Sequence, residues 1–165
     1  MHLFERPCIP GWIYPCSLED ITLRMAQFPS DDIEGLWAIG LVPATRKDCH
    51  ANARYFATGK PVVHIYSYPE SLRFRLPAYT KPASIELGLR VEYEYDMKIE
   101  QEGKRYVCVW ASSDLRRFVV EHVLAHEIGH HVYHQTRKKQ EYVFRPHTTA
   151  SEQFAEAYAL RCSRR

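Results

Sequence analysis

Two histidines four residues apart, with a glutamate beside the first, form the part of this chain best suited to chemistry. They are His126, Glu127 and His130, in the pentapeptide HEIGH. In an α-helix, residues four apart are displaced by about 6 Å along the axis and about 40° around it, so both imidazoles can face one ion. Zinc is the ion that this pattern most often binds, and Glu127 could then take a proton from an activated water. The pentapeptide therefore predicts one Zn²⁺ ion and hydrolysis of a peptide bond.

The residues around the pentapeptide predict a long, largely buried helix. Residues 113–135 include no proline, and their apolar residues recur at spacings that cover most of a helix surface. Unpaired polar side chains in such a helix would cost several kcal/mol each. A bound metal ion would provide the partners, and the alternative is that both histidines are core residues satisfied by hydrogen bonds.

A catalytic zinc site usually has three protein ligands and leaves its fourth position open, so a third ligand is needed. Two neighbouring histidines are poorly placed for this role. His134 would lie about 12 Å along the helix axis from His126, and we expect it to be exposed or to lie behind the ligands. His131 would point about 100° around the helix from His130, away from the ion.

Two later residues remain as candidates for the third ligand. His147 follows the pentapeptide at a distance used by zinc proteases that take a ligand from a loop. Glu152 is the stronger candidate, because residues 148–160 read as a second helix whose small side chains permit close packing. Thr149 and Glu152 also fit a capping box, in which Glu152 would only bind a backbone amide. Glu156, one turn later, is placed to accept the free ring N–H of a ligating histidine.

The two motifs together resemble the gluzincin group of zinc metallopeptidases. The phrase EQFAEAYA, which begins at Glu152, is similar to the glutamate-helix motif of the anthrax-lethal-factor-like peptidases. Its ExxA portion also resembles the peptidases that cleave phage-immunity and radiation-response repressors, and the compact minigluzincins. The resemblance covers residues 112–160. It implies a zinc ion held by His126, His130 and Glu152, with Glu127 as general base and acid.

The chain departs from that family pattern at one position. Lethal-factor-like members place a tyrosine seven residues before the glutamate ligand to stabilise the oxyanion, and this chain has Arg145 there. Tyr142 or His147 could instead direct a donor towards the developing negative charge. Tyr142 is therefore a predicted catalytic residue, and a surface role is the alternative for both.

Length and composition indicate an ordinary globular protein. The chain has 165 residues, 45% of them hydrophobic and 25% charged, and a net charge of +2. We expect one domain over 1–165, with a helix-and-sheet part over 1–111 and the metal-binding helices over 112–165. No apolar run is long enough to cross a membrane, and the first residues do not form a signal peptide, so a cytoplasmic location is expected. Five cysteines without a CxxC pair argue against disulfides and against a thiolate zinc site.

Patterns in the first half predict one helix and two strands. Ser17 begins an amphipathic helix that stops before Pro29. Residues 36–42 and 61–68 are β-branched and aromatic runs that predict strands, and residues 45–59 between them read as a loop or an irregular helix.

A β-hairpin is predicted before the metal-binding helix. Residues 85–99 alternate between apolar and acidic side chains, Gly103 provides a turn, and residues 104–110 form the second strand. The order of elements predicts an α+β fold with a mostly antiparallel sheet packed on the HExxH helix and the following glutamate helix. The resemblance implies that a sheet edge binds an extended substrate, and the strands at 104–110 and 61–68 are the candidates for that edge.

The sequence therefore predicts a zinc-dependent endopeptidase that acts on a protein or peptide. A second possibility is a regulatory or interaction protein that retains zinc without cutting its partner. A third is a DNA-associated protease with His147 as the third ligand, although a net charge of +2 does not by itself predict nucleic-acid binding. The sequence makes no prediction of the oligomeric state.

Overall fold

A computed structural model of the chain describes residues 1–45, 52–76, 90–138 and 148–163. Its strands are β1 (His2–Glu5), β2 (Trp12–Ile13), β3 (Ala38–Val42), β4 (Ala53–Phe56), β5 (Val62–Tyr66), β6 (Tyr68–Pro69), β7 (Arg73–Arg75), β8 (Lys98–Glu102) and β9 (Arg105–Val109). Its helices are α1 (Leu18–Met25), α2 (Ser30–Ile33), α3 (Arg90–Glu94), α4 (Ser112–Phe118), a π-helical turn (Val119–Val123), α5 (Leu124–Lys138) and α6 (Thr149–Ser163). This mixture of helices and sheets is compatible with the predicted α+β class.

The largest sheet has the strand order β1-β3-β5-β4. The β1–β3 and β3–β5 pairs are parallel, and only the β4–β5 pair is antiparallel. The prediction of a mostly antiparallel sheet is therefore wrong for the sheet that contacts α5. The segment between β1 and β3 includes α1 and α2, and it is long enough for the crossover that parallel strands require. The smaller sheets, β2-β6 and β7-β9-β8, are antiparallel.

The edge strand nearest the histidine motif is β4, which the sequence did not predict as a strand. It lies within residues 45–59, the segment read as a loop or an irregular helix. Both strands proposed as edges lie inside their sheets, because β5 is flanked by β3 and β4, and β9 is flanked by β7 and β8. Those two proposals are therefore wrong.

The predicted hairpin is confirmed, but its first strand is shorter than expected. β8 pairs with β9 around the turn at Gly103, whose backbone has a φ of 60°. Residues 77–89 lie outside the described residues, and Arg90–Glu94 is a helix rather than a strand. Val91 and Tyr95 are four residues apart. A helical turn and a strand both place such residues on the same side, so this spacing does not distinguish the two structures. Asp96, with a φ of 63°, ends this turn before β8 begins.

The N-terminal helix is confirmed, including its cap. Ser17 accepts a hydrogen bond from the Asp20 N–H at 3.1 Å, and the Asp20 carboxylate accepts one from the Ser17 N–H at 2.9 Å. α1 ends at Met25, before Pro29. Its apolar face joins a core between the main sheet and the C-terminal helices. Fully buried residues of that core include Ile21, Ile39, Leu41, Val63, Ile65, Leu124 and Ile128.

The two predicted C-terminal helices are present and run antiparallel. Residues 112–138 form one continuous helical segment in which the π turn separates α4 from α5. α5 packs extensively on α6, and the Ser163 hydroxyl near the end of α6 donates to the Glu121 carbonyl at 3.3 Å. None of the helices among the described residues combines the length and the apolar character needed to cross a bilayer.

Candidate metal centre

The side chains of His126 and His130 lie on the face of α5 that packs against α6. Their rings are 4.9 Å apart, centre to centre, and nearly perpendicular. His130 is buried, whereas 21% of the His126 side chain is exposed. One helical face therefore presents two imidazoles, one from the core and one nearer the surface.

Glu152 of α6 reaches both of these histidines. One carboxylate oxygen lies 3.3 Å from His126 Nε2, and the other lies 3.5 Å from His130 Nε2. The capping box that the sequence allowed, with Thr149 as the cap, does not form. Thr148 is the cap of α6 instead, and its hydroxyl accepts the Ser151 N–H at 3.3 Å. The helix starts one residue earlier than that prediction assumed, so the Glu152 side chain can face α5.

The spacing of these three groups suits a metal ion. Ligands at about 2.0–2.1 Å in a tetrahedral arrangement lie about 3.3–3.4 Å from one another. The nitrogen–oxygen distances of 3.3 and 3.5 Å, each to a different oxygen of Glu152, are close to that value. Two imidazoles and a carboxylate are also a donor set that catalytic zinc sites use. The cluster of His126, His130 and Glu152 can therefore hold a metal ion.

A glycine brings the two helices close enough for this arrangement. A Cβ atom at Gly129 would lie 2.8 Å from the Ala155 Cα and 3.1 Å from the Tyr158 Cβ. These distances are shorter than ordinary van der Waals contacts, so only glycine fits without a shift of the backbone. Buried Ser151 and Ala155 provide a matching surface of small residues on α6.

Glu127 is buried beside the cluster. Burial raises the pKa of its carboxyl group to about 7, although His126 and the Tyr55 backbone N–H act in the opposite direction. Tyr55 belongs to the edge strand β4, so this contact joins the strand to α5. Glu127 Oε2 is buried and accepts no hydrogen bond from any described residue. A buried carboxylate oxygen without a donor is well suited to receive a proton.

Glu156 forms a second group with His122 and His126. One oxygen of Glu156 lies 3.3 Å from His122 Nε2 and 3.3 Å from His126 Nδ1. These two histidines, His122 foremost, lower the pKa of Glu156 to about 2, so the carboxylate stays ionised. Burial lowers the pKa of His126, but Glu156 and the other nearby carboxylates outweigh it and raise that pKa overall. This second cluster also has ligand atoms close enough to hold a metal ion.

The two other histidines of α5 face away from the cluster. Both form hydrogen bonds with the hydroxyl of Tyr55, His131 Nδ1 at 3.2 Å and His134 Nδ1 at 2.9 Å. His131 Nε2 also lies 2.8 Å from the Glu34 carbonyl oxygen. His134 is only 6% exposed. Of the two positions expected for it, exposed or behind the ligands, the exposed one is therefore wrong. These hydrogen bonds connect β4 to the face of α5 that points away from the cluster.

Two candidates from the sequence cannot be placed. Tyr142, the predicted oxyanion residue, and His147, the alternative ligand, lie outside the described residues. Two residues were missed. His122 precedes His126 by one turn, so the same four-residue spacing could have revealed it. Tyr55 has no local signal, because it meets Glu127 only through tertiary packing.

No protein-family model, no curated protein and no solved structure matches this chain. The likeness to gluzincins therefore depends on the HExxH and ExxAEAYA motifs.

Proposed function

We propose that this chain is a zinc-dependent endopeptidase of the gluzincin type, with a zincin-like arrangement of edge strand, histidine helix and glutamate helix. The observation that supports it most is that ligand atoms of His126, His130 and Glu152 lie close enough together to hold one ion, next to buried Glu127. Glu152 is 43% exposed along its side chain, so the cluster can be reached from solvent. A zinc ion at this cluster would polarise a substrate carbonyl and acidify a water molecule.

In this proposal, Glu127 moves the proton. Its carboxylate takes the proton from the attacking water and returns it to the amine that leaves when the peptide bond breaks. Burial of Glu127 raises the pKa of its carboxyl group, which favours acceptance of a proton. Tyr142 stays the predicted donor to the oxyanion.

The edge strand β4 is the proposed binding site for the substrate backbone. Tyr55 directs its backbone N–H towards Glu127, away from the partner strand β5. An extended peptide could add to this edge through main-chain hydrogen bonds, with its scissile carbonyl close to Glu127. This geometry favours an unfolded or loop segment of a protein as the substrate.

The proposal is tested with purified protein, zinc and an unfolded, fluorescently labelled protein. We expect cleavage that a chelator stops and that zinc restores. Glu127→Gln should retain zinc and lower the turnover number by a factor on the order of 10²–10⁴, the usual contribution of a general base. Glu121→Gln, earlier on the same helical segment, is the matched control and should stay active. A zinc-loaded Glu127→Gln variant with full activity would remove Glu127 from this role.

A further inference from the structure

His122 is placed to act on the metal cluster without binding the ion. Its Nε2 atom lies 3.3 Å from the Glu156 oxygen that is also 3.3 Å from His126 Nδ1. His126 Nε2 faces Glu152 and the proposed ion. One oxygen of Glu156 therefore lies between His122 Nε2 and His126 Nδ1, the nitrogen of His126 that does not face the proposed ion.

The surroundings of His122 show which of its nitrogens holds the proton. The ring is 6% exposed and stacks on Phe118 at a centroid distance of 5.8 Å. Its Nδ1 atom is buried and has no hydrogen-bond partner among the described residues. A proton on Nδ1 would be a buried donor without an acceptor, which is destabilising. The neutral ring therefore has its proton on Nε2, the atom that faces Glu156.

The His126 ring argues against a second metal ion at His122, His126 and Glu156, because it already presents its Nε2 atom to the proposed ion. An ion there would also require His126 Nδ1, the atom that hydrogen-bonds to Glu156.

We propose that His122 is a positioning residue for the metal centre. Its Nε2–H donates to Glu156 and holds that carboxylate where it accepts the Nδ1–H of His126. His126 is thereby fixed in the tautomer that presents a bare Nε2 to the ion, and its ring is oriented towards His130 and Glu152. This inference rests on the proposed metal centre. It adds His122, which acts on the ligand His126 through Glu156.

The test compares zinc affinities, measured by competition with a chromophoric chelator. His122→Leu keeps the size of the side chain but removes the donor, and we expect zinc to bind about 10-fold more weakly, as is usual for outer partners of ligands. His122→Gln returns an N–H near the position of Nε2 and should restore the affinity to within about 3-fold. Thermal unfolding of the zinc-free His122→Leu and His122→Gln variants should be cooperative for both, which shows that weaker zinc binding is not a failure to fold.

A double-mutant cycle with Glu156→Ala separates this role from others. In the Glu156→Ala background, His122→Leu should cause no further loss of zinc affinity, because the connecting carboxylate is gone. Equal losses in both backgrounds, or unchanged affinity in the single variant, would overturn the positioning role. A second equivalent of zinc that disappears in His122→Leu would show His122 to be a ligand instead. Zinc binding without peptidase activity would overturn only the proposed function, whereas no zinc binding at all would overturn both.

Discussion

His126 has a different carboxylate at each of its two ring nitrogens. Nε2 lies 3.3 Å from Glu152, and Nδ1 lies 3.3 Å from Glu156. Glu152 also reaches His130, so it belongs to the group that can share an ion. Glu156 instead lies 3.3 Å from His122 Nε2. The two glutamates, one helical turn apart, thus have separate roles as proposed ligand and as support for a ligand.

Removal of Glu152 should release the ion. We expect Glu152→Ala to weaken zinc binding by more than about 100-fold, since loss of an outer partner alone costs about 10–100-fold. Elemental analysis after dialysis would then find far less than one zinc per chain. Gln153→Ala, at an exposed neighbouring position, is the control and should retain the metal. Retention of zinc by Glu152→Ala together with its loss from His147→Ala would assign the third ligand to His147.

Local spacing explains which site residues the sequence could predict. His126, Glu127 and His130 follow from helix geometry, because contacts between residues three or four apart depend only on the helix. Glu152 required a second helix of small residues and the family resemblance to identify it. Tyr55 could not be predicted, because a contact between residues 55 and 127 depends on how β4 packs against α5.

The contact between α5 and α6 sets the distance from the histidines to the glutamates. Gly129 lies between the two histidines of the cluster in sequence and against the backbone of Ala155 in space. Any larger residue at Gly129 would push α6 outwards at the level of Glu152. The arrangement of His126, His130 and Glu152 therefore depends on the absence of a side chain at Gly129.

Gly129→Ala should consequently damage the metal cluster. The new Cβ would meet Ala155 Cα at 2.8 Å, so α6 must move. We expect a loss of about 1–3 kcal/mol in the free energy of unfolding, typical of overpacking, and clearly weaker zinc binding. Ala157→Gly provides the control, because it should cost about 1 kcal/mol through helix propensity at an exposed site of α6. Unchanged zinc affinity in Gly129→Ala would show that the close contact is not needed for the cluster.

The secondary-structure predictions succeeded where the periodicity was unambiguous. The long helical segment, the glutamate helix and the β8–β9 hairpin were all predicted, since each combines a repeated apolar pattern with clear ends. Strand β4 was missed because it is only four residues long and lies between loop-like residues. Helix α3 was read as a strand because five residues satisfy a period of two and a period of four equally well.

Helix α1 is hydrogen-bonded to the helical segment that precedes the candidate metal cluster in sequence. Arg116 of α4 donates from Nε to the Asp20 carboxylate at 2.9 Å, and Arg24 donates to the carbonyls of Glu121 and Cys162, both at 3.2 Å. Cys162 lies near the end of α6, so α1 contacts both helical segments that form the cluster. These contacts link the beginning of the chain to its candidate functional site.

The pair of Asp20 and Arg116 predicts a dependence of stability on pH. The Arg116 hydrogen bond, aided by Ser17, lowers the pKa of Asp20 to about 2. A carboxyl group with a lowered pKa stabilises the fold above its unfolded value, near 4, and loses that contribution as the pH falls through about 2. Arg116 is largely exposed, so solvent screening limits the contribution to about 1 kcal/mol.

Asp20→Asn should therefore lower the free energy of unfolding by about 1 kcal/mol at pH 7, with the difference disappearing towards pH 2. The asparagine side chain would keep one oxygen for the cap of α1, and it removes the charge together with one acceptor for Arg116. The control is Asp96→Asn, in a surface pair with Arg117, where asparagine also tolerates the left-handed backbone. Urea unfolding across the pH range measures both variants. A constant difference between unaltered protein and Asp20→Asn at every pH would contradict the electrostatic origin.

The arrangement of the main sheet was the part of the fold least accessible from sequence. Parallel pairing of β1 with β3 and of β3 with β5 joins strands that are distant along the chain. Apolar runs indicate that these strands are buried, but a fully buried strand has no alternation that would report its direction. The sequence could therefore predict a mixture of helices and strands without predicting how the strands are ordered.

Anomalous diffraction at the zinc edge, from crystals grown with zinc, tests the central proposal most directly. We expect one peak per chain, about 2.0–2.2 Å from His126 Nε2, His130 Nε2 and a carboxylate oxygen of Glu152. Absence of any peak at this cluster, or a single peak between His122, His126 Nδ1 and Glu156, would contradict it.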